Sequence, residues 1–358
     1  MSERLLVASR KGLFDMTRTA AGWSIARSAF LGSPVSMCLR DPRDGGLYAA
    51  LDHGHFGVKL HRSDDDGASW QEIAAPSYVG LEGDPAPSLK LIWALEPSLA
   101  DHPGVLWAGT IPGGLFKSTN RGASWSLVTS LWDAPERAQW MGGGADQPGI
   151  HSVCVDPANA QHVAIAVSCG GVWETHDGGE SWQLAGKGLW AEFMPPDQRD
   201  NPAIQDPHRL VQCPADPRVY WIQHHNGMFR AADGVGLWDE IKPADAPNFG
   251  FAVAAHPRDS QTAWFVPALD DAARYPQDGR VIVTRTRDGG RSFEVLTQGL
   301  PQSDAYDLFY RHSLDVDETG TRLAIGSTTG NLWLSENGGD AWTLVNAHLP
   351  PIYAVRFC

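Results

Sequence analysis

The 358-residue chain has no C-x-x-C pair, no block of Lys or Arg, and no apolar run of the roughly 18 residues a membrane span needs. Its five cysteines, Cys38, Cys154, Cys169, Cys213 and Cys358, are odd in number and scattered. That pattern argues against a disulfide framework or a thiolate metal site and fits reduced thiols. A formal net charge of -14 without a basic stretch argues against a nucleic-acid or anionic-membrane surface. The apolar residues at the N-terminus give way at once to Arg10-Lys11-Gly12, too soon for a signal-peptide core. The expected location is therefore cytoplasmic.

What the chain does have is turn formers and tryptophan: 38 Gly, 25 Pro and 15 Trp. Several of the tryptophans close a repeated segment. Ser63-Asp64-Asp65-Asp66-Gly67-Ala68-Ser69-Trp70 returns as Ser118-Thr119-Asn120-Arg121-Gly122-Ala123-Ser124-Trp125 and as Thr175-His176-Asp177-Gly178-Gly179-Glu180-Ser181-Trp182. Two more copies end at Phe293 and Trp342, and two degenerate ones at Trp23 and Trp238. The spacings run from 47 residues (Trp23 to Trp70) to 57 (Trp125 to Trp182), about one four-stranded blade each. In each copy an Asp or Asn can bond its own turn backbone, a Gly supplies a positive φ, and the aromatic ring packs between blades.

This pattern resembles the Asp-box (BNR) propellers, a group with sialidases, xyloglucan-active glycoside hydrolases and sortilin-type receptors among its members. The resemblance covers the whole chain. The expected fold is all-β, a single seven-bladed β-propeller of four-stranded blades. Blade 1 is expected at 5–30 plus 351–358, and blades 2 to 7 at 33–76, 89–130, 149–186, 207–243, 248–298 and 305–347. The N-terminus begins at a second-position strand, so the first blade lacks its inner strand. Ile352-Tyr353-Ala354-Val355-Arg356-Phe357 is the spare one, expected to close the ring and remove the open edges.

Propeller geometry puts the repeated turns at one rim, where they serve structure, and gathers the remaining loops at the other end of the axis. Long loops at 78–89, 130–149 and 186–207 carry Trp132, Trp140, Asp146, Trp190 and Asp206. Histidine concentrates at the same end. His151-Ser152 and His312-Ser313 match in register on two inner strands, His208 opens a third, and His224-His225 closes the strand beside it. Imidazoles at His151, His208, His225 and His312 could hold a divalent metal on the axis, with Zn, Fe, Cu, Mn and Ni all open. They could instead form a metal-free polar pocket, with His151, His208, Tyr306, Asp307, Arg311 and His312 as candidate catalytic groups, or each could bond a neighbouring carbonyl. Trp140, Asp146, His224 and Arg274 are candidates for substrate contact, and Arg311 and Arg274 for gripping a carboxylate. Trp93, Trp190 and Tyr306 could add an aromatic floor, with core packing the alternative for Trp93. Adjacent strand residues point to opposite faces, so the sequence leaves open which of His224 and His225 faces the axis.

The chain departs from the sialidase pattern. It has seven repeats rather than six blades, no Arg-Ile-Pro-like motif and no spaced arginine triad. The paired catalytic aspartates of xyloglucan-active enzymes find no counterpart residue by residue. Two functions remain. One is a glycosyl-hydrolase-like or metal-assisted hydrolase or lyase acting on a small polar or glycan substrate in a His-rich axial pocket. The other is a non-catalytic propeller holding a ligand, peptide or protein with its top loops.

Overall fold

A computed structural model describes residues 1–81 and 87–358. Residues 82–86, within the expected long loop 78–89, lie outside the described residues. Seven antiparallel sheets of four strands form the ring. Their innermost strands are Val35–Arg40, Leu91–Pro97, Gly149–Val155, Pro207–Cys213, Gly250–Ala255, Leu314–Val316 and Ile352–Phe357, each packed beside the next around the axis. The last of these belongs to blade 1, where Leu5 pairs with Phe357 and Val7 with Val355. The C-terminal strand therefore closes the ring, as the missing inner strand of blade 1 leads one to expect. Ile352 and Val355 are buried there in one cluster with Leu5, Val7 and Leu334, and Ala354 in another with Leu6 and Ala8.

The repeated turns explain how outer strands are held. In the second blade Asp65 accepts from the Ser69 amide at 2.8 Å, and the Gly67 amide donates to Ser63 Oγ at 2.8 Å. The same pattern recurs at Asn120, Asp177, Asp288 and Asn337. Each carboxylate or amide thus satisfies turn backbone that a strand ladder cannot reach. Gly290 shows why glycine is needed: its φ is +91°, and a Cβ would stand 2.4 Å from Ile241 in the preceding blade. The closing aromatics tie blades together. The Trp125 indole donates to the Ala74 carbonyl at 2.9 Å, and the Trp23 indole donates to the Glu336 carboxylate of blade 7 at 3.2 Å.

A third regularity lies in the inner strands, and the linear pattern does not announce it. Six of them carry a register shift near their first residue. The residue skipped in the ladder is Ser36, Trp93, His151, His208, Phe251 or Tyr353. A bulge turns its extra residue out of the normal alternation. Here every bulge does so at the same height, and His312 stands in the matching place in blade 7, just before Ser313, whose carbonyl accepts from the Gly326 amide.

Candidate functional site

The starts and ends of the inner strands open into two cavities on the axis. At the starting end, a cavity of 360 Å³ is lined by the bulge residues Ser36, Trp93, Phe251 and Tyr353, by His312, and by Asp52, Tyr310, Arg274 and Arg311. At the opposite end, a wider funnel of 540 Å³ is lined by Glu96, Arg209, Asp315 and Arg356. Arg356 pairs there with Glu96.

Arg311 dominates the first cavity. It is buried, its guanidinium stands 4.6 Å from the Trp93 ring centre and 5.3 Å from that of Phe251, and one nitrogen donates to Ser168 Oγ at 3.3 Å. Its Nε has no partner within the protein. Burial pulls its pKa down to about 10, against the opposing pull of Asp206. His312 is also buried, and neither ring nitrogen has a partner. Burial, then Arg209 and Arg356, hold it well below the usual imidazole range, so it is neutral. Unpaired buried polar atoms cost free energy, and the two residues that carry them line a cavity large enough for a ligand. Arg274 reaches over Phe251 at 5.5 Å from the rim, its Nε donating to the Asp271 carbonyl at 2.9 Å.

A second cluster sits one layer behind that wall. Asp206 Oδ2 lies 3.4 Å from His208 Nε2 and 3.5 Å from His225 Nδ1. Asp206 and His208 are buried, and His225 is half-buried at the rim. Burial works against ionisation of Asp206, but His208, His225 and Arg311 outweigh it and hold the carboxyl well below its usual range. The cluster communicates with the pocket through Ser168, which donates to Asp206 Oδ1 at 2.6 Å and accepts from Arg311.

Of the four imidazoles expected on the axis, then, His208 and His225 come together with Asp206, while His151 and His312 stand outside that donor set. His151 is fully engaged: its Nε2–H donates to the Pro207 carbonyl at 2.7 Å and its Nδ1 accepts from the Ser152 hydroxyl at 2.9 Å. Neither His224 nor His225 lines the axial cavity; His225 is the one that joins Asp206 and His208. His224 points into its own blade, edge-on to Phe229 at 5.4 Å, and its Nδ1 accepts from the Asn226 amide. Asp307 is buried in blade 7, accepting from Thr329 and from Asn331 at 2.8 Å. Tyr306 is 67% exposed and stands outside the cavity beside Tyr275. Trp140 packs edge-on to Trp173 in the core between blades 3 and 4. Asp146 is exposed, although its neighbours Gly144 and Ala145 line the pocket. Trp190 bonds Glu240 on the outer side of blade 5. Trp93, by contrast, does line the pocket.

Sequence reading passed over Asp206 as a loop residue and gave no role to Asp52, Phe251 or Tyr353. The available signal for Asp206 was the compact Asp206-Pro207-His208 run opening an inner strand.

No family model matches the chain. A probable oligoxyloglucan-reducing end-specific xyloglucanase of Neosartorya fischeri is 24% identical over 323 residues, which cover 83% of this chain and 36% of that protein. A xyloglucanase of Paenibacillus sp is 26% identical over 257 residues, 65% of this chain and 23% of that one. The chain thus spans about a third or less of the length of these curated relatives. Among solved structures, the GH74 xyloglucanase of Xanthomonas campestris superposes with a TM-score of 0.66 at 18% identity, over 96% of this chain and 52% of that one. YCF48 bound to D1 peptide superposes with a TM-score of 0.58 at 14% identity, over 94% and 90%. At these identities the superpositions show a shared fold and leave the reaction to the site itself.

Proposed function

We propose that this propeller is a glycan-directed enzyme of hydrolase or lyase type. Its substrate would be a small sugar bearing a carboxylate, held in the axial pocket. The observation that carries this reading is the pairing of Arg311 and His312: a buried cation and a neutral imidazole that line one cavity and keep nitrogens without a partner in the protein. Arg311 would grip the carboxylate with two hydrogen bonds. Trp93, Phe251, Tyr310 and Tyr353 offer the flat apolar faces on which sugar rings stack. Two arginines against one lining carboxylate, Asp52, give the pocket a net positive character. Neutral His312 is available as a base, and Asp52 and Tyr310 are the other lining groups able to move a proton. Sequence likeness to two xyloglucanases supports a glycan ligand.

One observation favours a second reading, a non-catalytic binding propeller. Glycoside hydrolysis ordinarily uses two carboxyl groups across the scissile bond, and among the described residues Asp52 is the single carboxylate lining the pocket.

Calorimetric titration of wild type and Arg311→Ala with neutral xyloglucan oligosaccharides and with uronate-containing oligosaccharides tests both, followed by mass spectrometry of the products. Uronate binding lost in Arg311→Ala, with turnover to a hydrated or an unsaturated product, supports the enzyme. Binding without turnover supports the second reading. Arg311-independent binding, or none to either glycan class, removes the first.

A further inference from the structure

The spacing within the second cluster is the feature that ordinary pairing explains least. Hydrogen-bonded or ion-paired N and O atoms approach to about 2.7–3.2 Å. Asp206 Oδ2 stands 3.4 Å from His208 Nε2 and 3.5 Å from His225 Nδ1, and all three donor atoms lie within 4.8 Å of one another. A tetrahedral ion bound about 2.1 Å from each donor spaces its donors about 3.4 Å apart. The gap is the size of an ion's coordination shell.

The outer contacts point the same way, independently of those distances. The Nδ1–H of His208 donates to the Gly250 carbonyl at 2.6 Å, which turns the lone pair of Nε2 inward. The Nε2 of His225 lies 3.3 Å from the Asp271 carboxylate, with its Nδ1 on the Asp206 side of the ring. Metal-bound imidazoles are held in this way, by a carbonyl or carboxylate on the far nitrogen. The outer oxygen of Asp206 is occupied by the Ser168 hydroxyl. The backbone sets all three: the His225 amide donates to the Asp206 carbonyl at 3.0 Å, and the bulge in Pro207–Cys213 places His208 beside them. Gly143 closes over the cluster, where a Cβ would stand 2.8 Å from Ser168 Oγ and 3.2 Å from Asp206 Oδ2.

We propose that Asp206, His208 and His225 hold a divalent transition-metal ion of the zinc class, with a fourth position left for water or a ligand atom. Two imidazoles and one carboxylate suit such an ion, and three protein donors leave it open to chemistry. The site does not depend on the pocket being catalytic, since the cluster lies behind Arg311 and Phe251, and His208 stacks on Phe251 at 4.4 Å. A second trio, His162, Glu174 and His176, is a weaker holder. Its two rings stack in parallel at 4.4 Å and 14°, and His162 already reaches Asp156 at 3.0 Å.

The test uses untagged protein stripped with a chelator and titrated with Zn²⁺ alone, read by competition with a chromophoric chelator and by the Zn²⁺-induced shift in Tm. Co²⁺ serves as the spectroscopic probe. Wild type should take up a single ion at this cluster with a tetrahedral-type Co²⁺ spectrum, and its Tm should rise. His225→Gln and Asp206→Asn should each weaken binding by roughly 100-fold or more and abolish the Tm rise, while the His151→Ala/His312→Ala double variant keeps both. Should Asp206→Asn fail to fold, His225→Gln, altered at the half-buried rim, still decides. Three results overturn the proposal: no ion retained by wild type, binding unchanged in His225→Gln, or binding abolished by His176→Ala instead.

Discussion

His208 Nδ1 lies 2.6 Å from the carbonyl of Gly250, the residue just before the next blade's bulge. The same relation recurs around the axis. His151 reaches the Pro207 carbonyl, before the bulge at His208, and Ser36 reaches the Ile92 carbonyl, before the bulge at Trp93, at 3.0 Å. These three polar bulge side chains thus tie their blades to the following ones through a backbone carbonyl. His312, in the matching place in blade 7, has no such tie.

From that contrast, His151→Ala and His312→Ala should behave oppositely. Losing His151 removes two buried hydrogen bonds and leaves a void, a cost of about 2–4 kcal/mol. Losing His312 should cost about 1 kcal/mol or less, because no bond is broken and the space opens into the cavity. Ligand affinity should fall tenfold or more in His312→Ala and little in His151→Ala. Denaturant unfolding and calorimetric binding on the pair measure this, and equal stability losses would contradict it.

Arg311→Lys should not rescue the loss seen in Arg311→Ala. A lysine keeps the charge but lacks the planar fork and the stacking on Trp93 and Phe251. We expect at least a tenfold loss of affinity for a carboxylate-bearing ligand, about 1.4 kcal/mol, with Tm nearly unchanged from Arg311→Ala.

Stability should fall as pH rises through the acid side of neutrality because of Asp315, at the far funnel. Burial pushes its carboxyl up to about 6, against the opposing pull of Arg356. The folded protein holds this proton more tightly than the unfolded chain, whose Asp titrates near 3.9. Its contribution is fully present below about pH 4 and is lost as pH rises through about 6. Because the side chain is partly exposed to the funnel, we expect about 1–2 kcal/mol. Asp315→Asn should remove this part of the pH dependence, measured as the difference in unfolding free energy between pH 5 and pH 7.5 for both proteins.

Deleting residues 352–358 should unfasten the ring. It removes the buried side chains of Ile352, Ala354 and Val355, exposes the edge of Arg4–Ser9, and breaks the Arg356–Glu96 pair. A loss of about 5 kcal/mol or more is expected from the apolar burial, with loss of cooperative unfolding and aggregation on size exclusion. A truncated chain that unfolds cooperatively near the wild-type Tm would show that the closing strand is dispensable.

His224→Leu should leave Zn²⁺ and ligand binding intact and cost about 1 kcal/mol through the lost acceptor for Asn226. His225→Leu should abolish Zn²⁺ binding and leave ligand binding in the axial pocket intact. Adjacent residues of one strand end separate cleanly by this measurement.

Much of the architecture was legible in the linear chain because it depends on local chemistry repeated in register. Asp65, Asn120, Asp177, Asp288 and Asn337 bond their own turns, and a first blade short of its inner strand matches the spare strand at 352–357. The clustering of histidines toward one end was also visible, and so were Arg311 and Arg274 as cations near it. Which rings converge was not. Trp140 and Trp93 read alike as aromatic residues near the top, yet one packs on Trp173 and the other lines the cavity.

The sequence by itself determined the number of blades, the turns that cap them and the strand that closes the ring, since each follows from spacing and nearest-neighbour hydrogen bonding. The tertiary structure alone decided the site. A register shift at the start of six of the inner strands swings one side chain out of the two-residue alternation, and whether that chain meets a carbonyl, an ion-sized gap or an open cavity depends on the neighbouring blade. Asp206 becomes a partner of His208 and His225 only because the pairing of Pro207 with His224 brings the two strand ends together, a contact between residues 17 positions apart that no local pattern encodes.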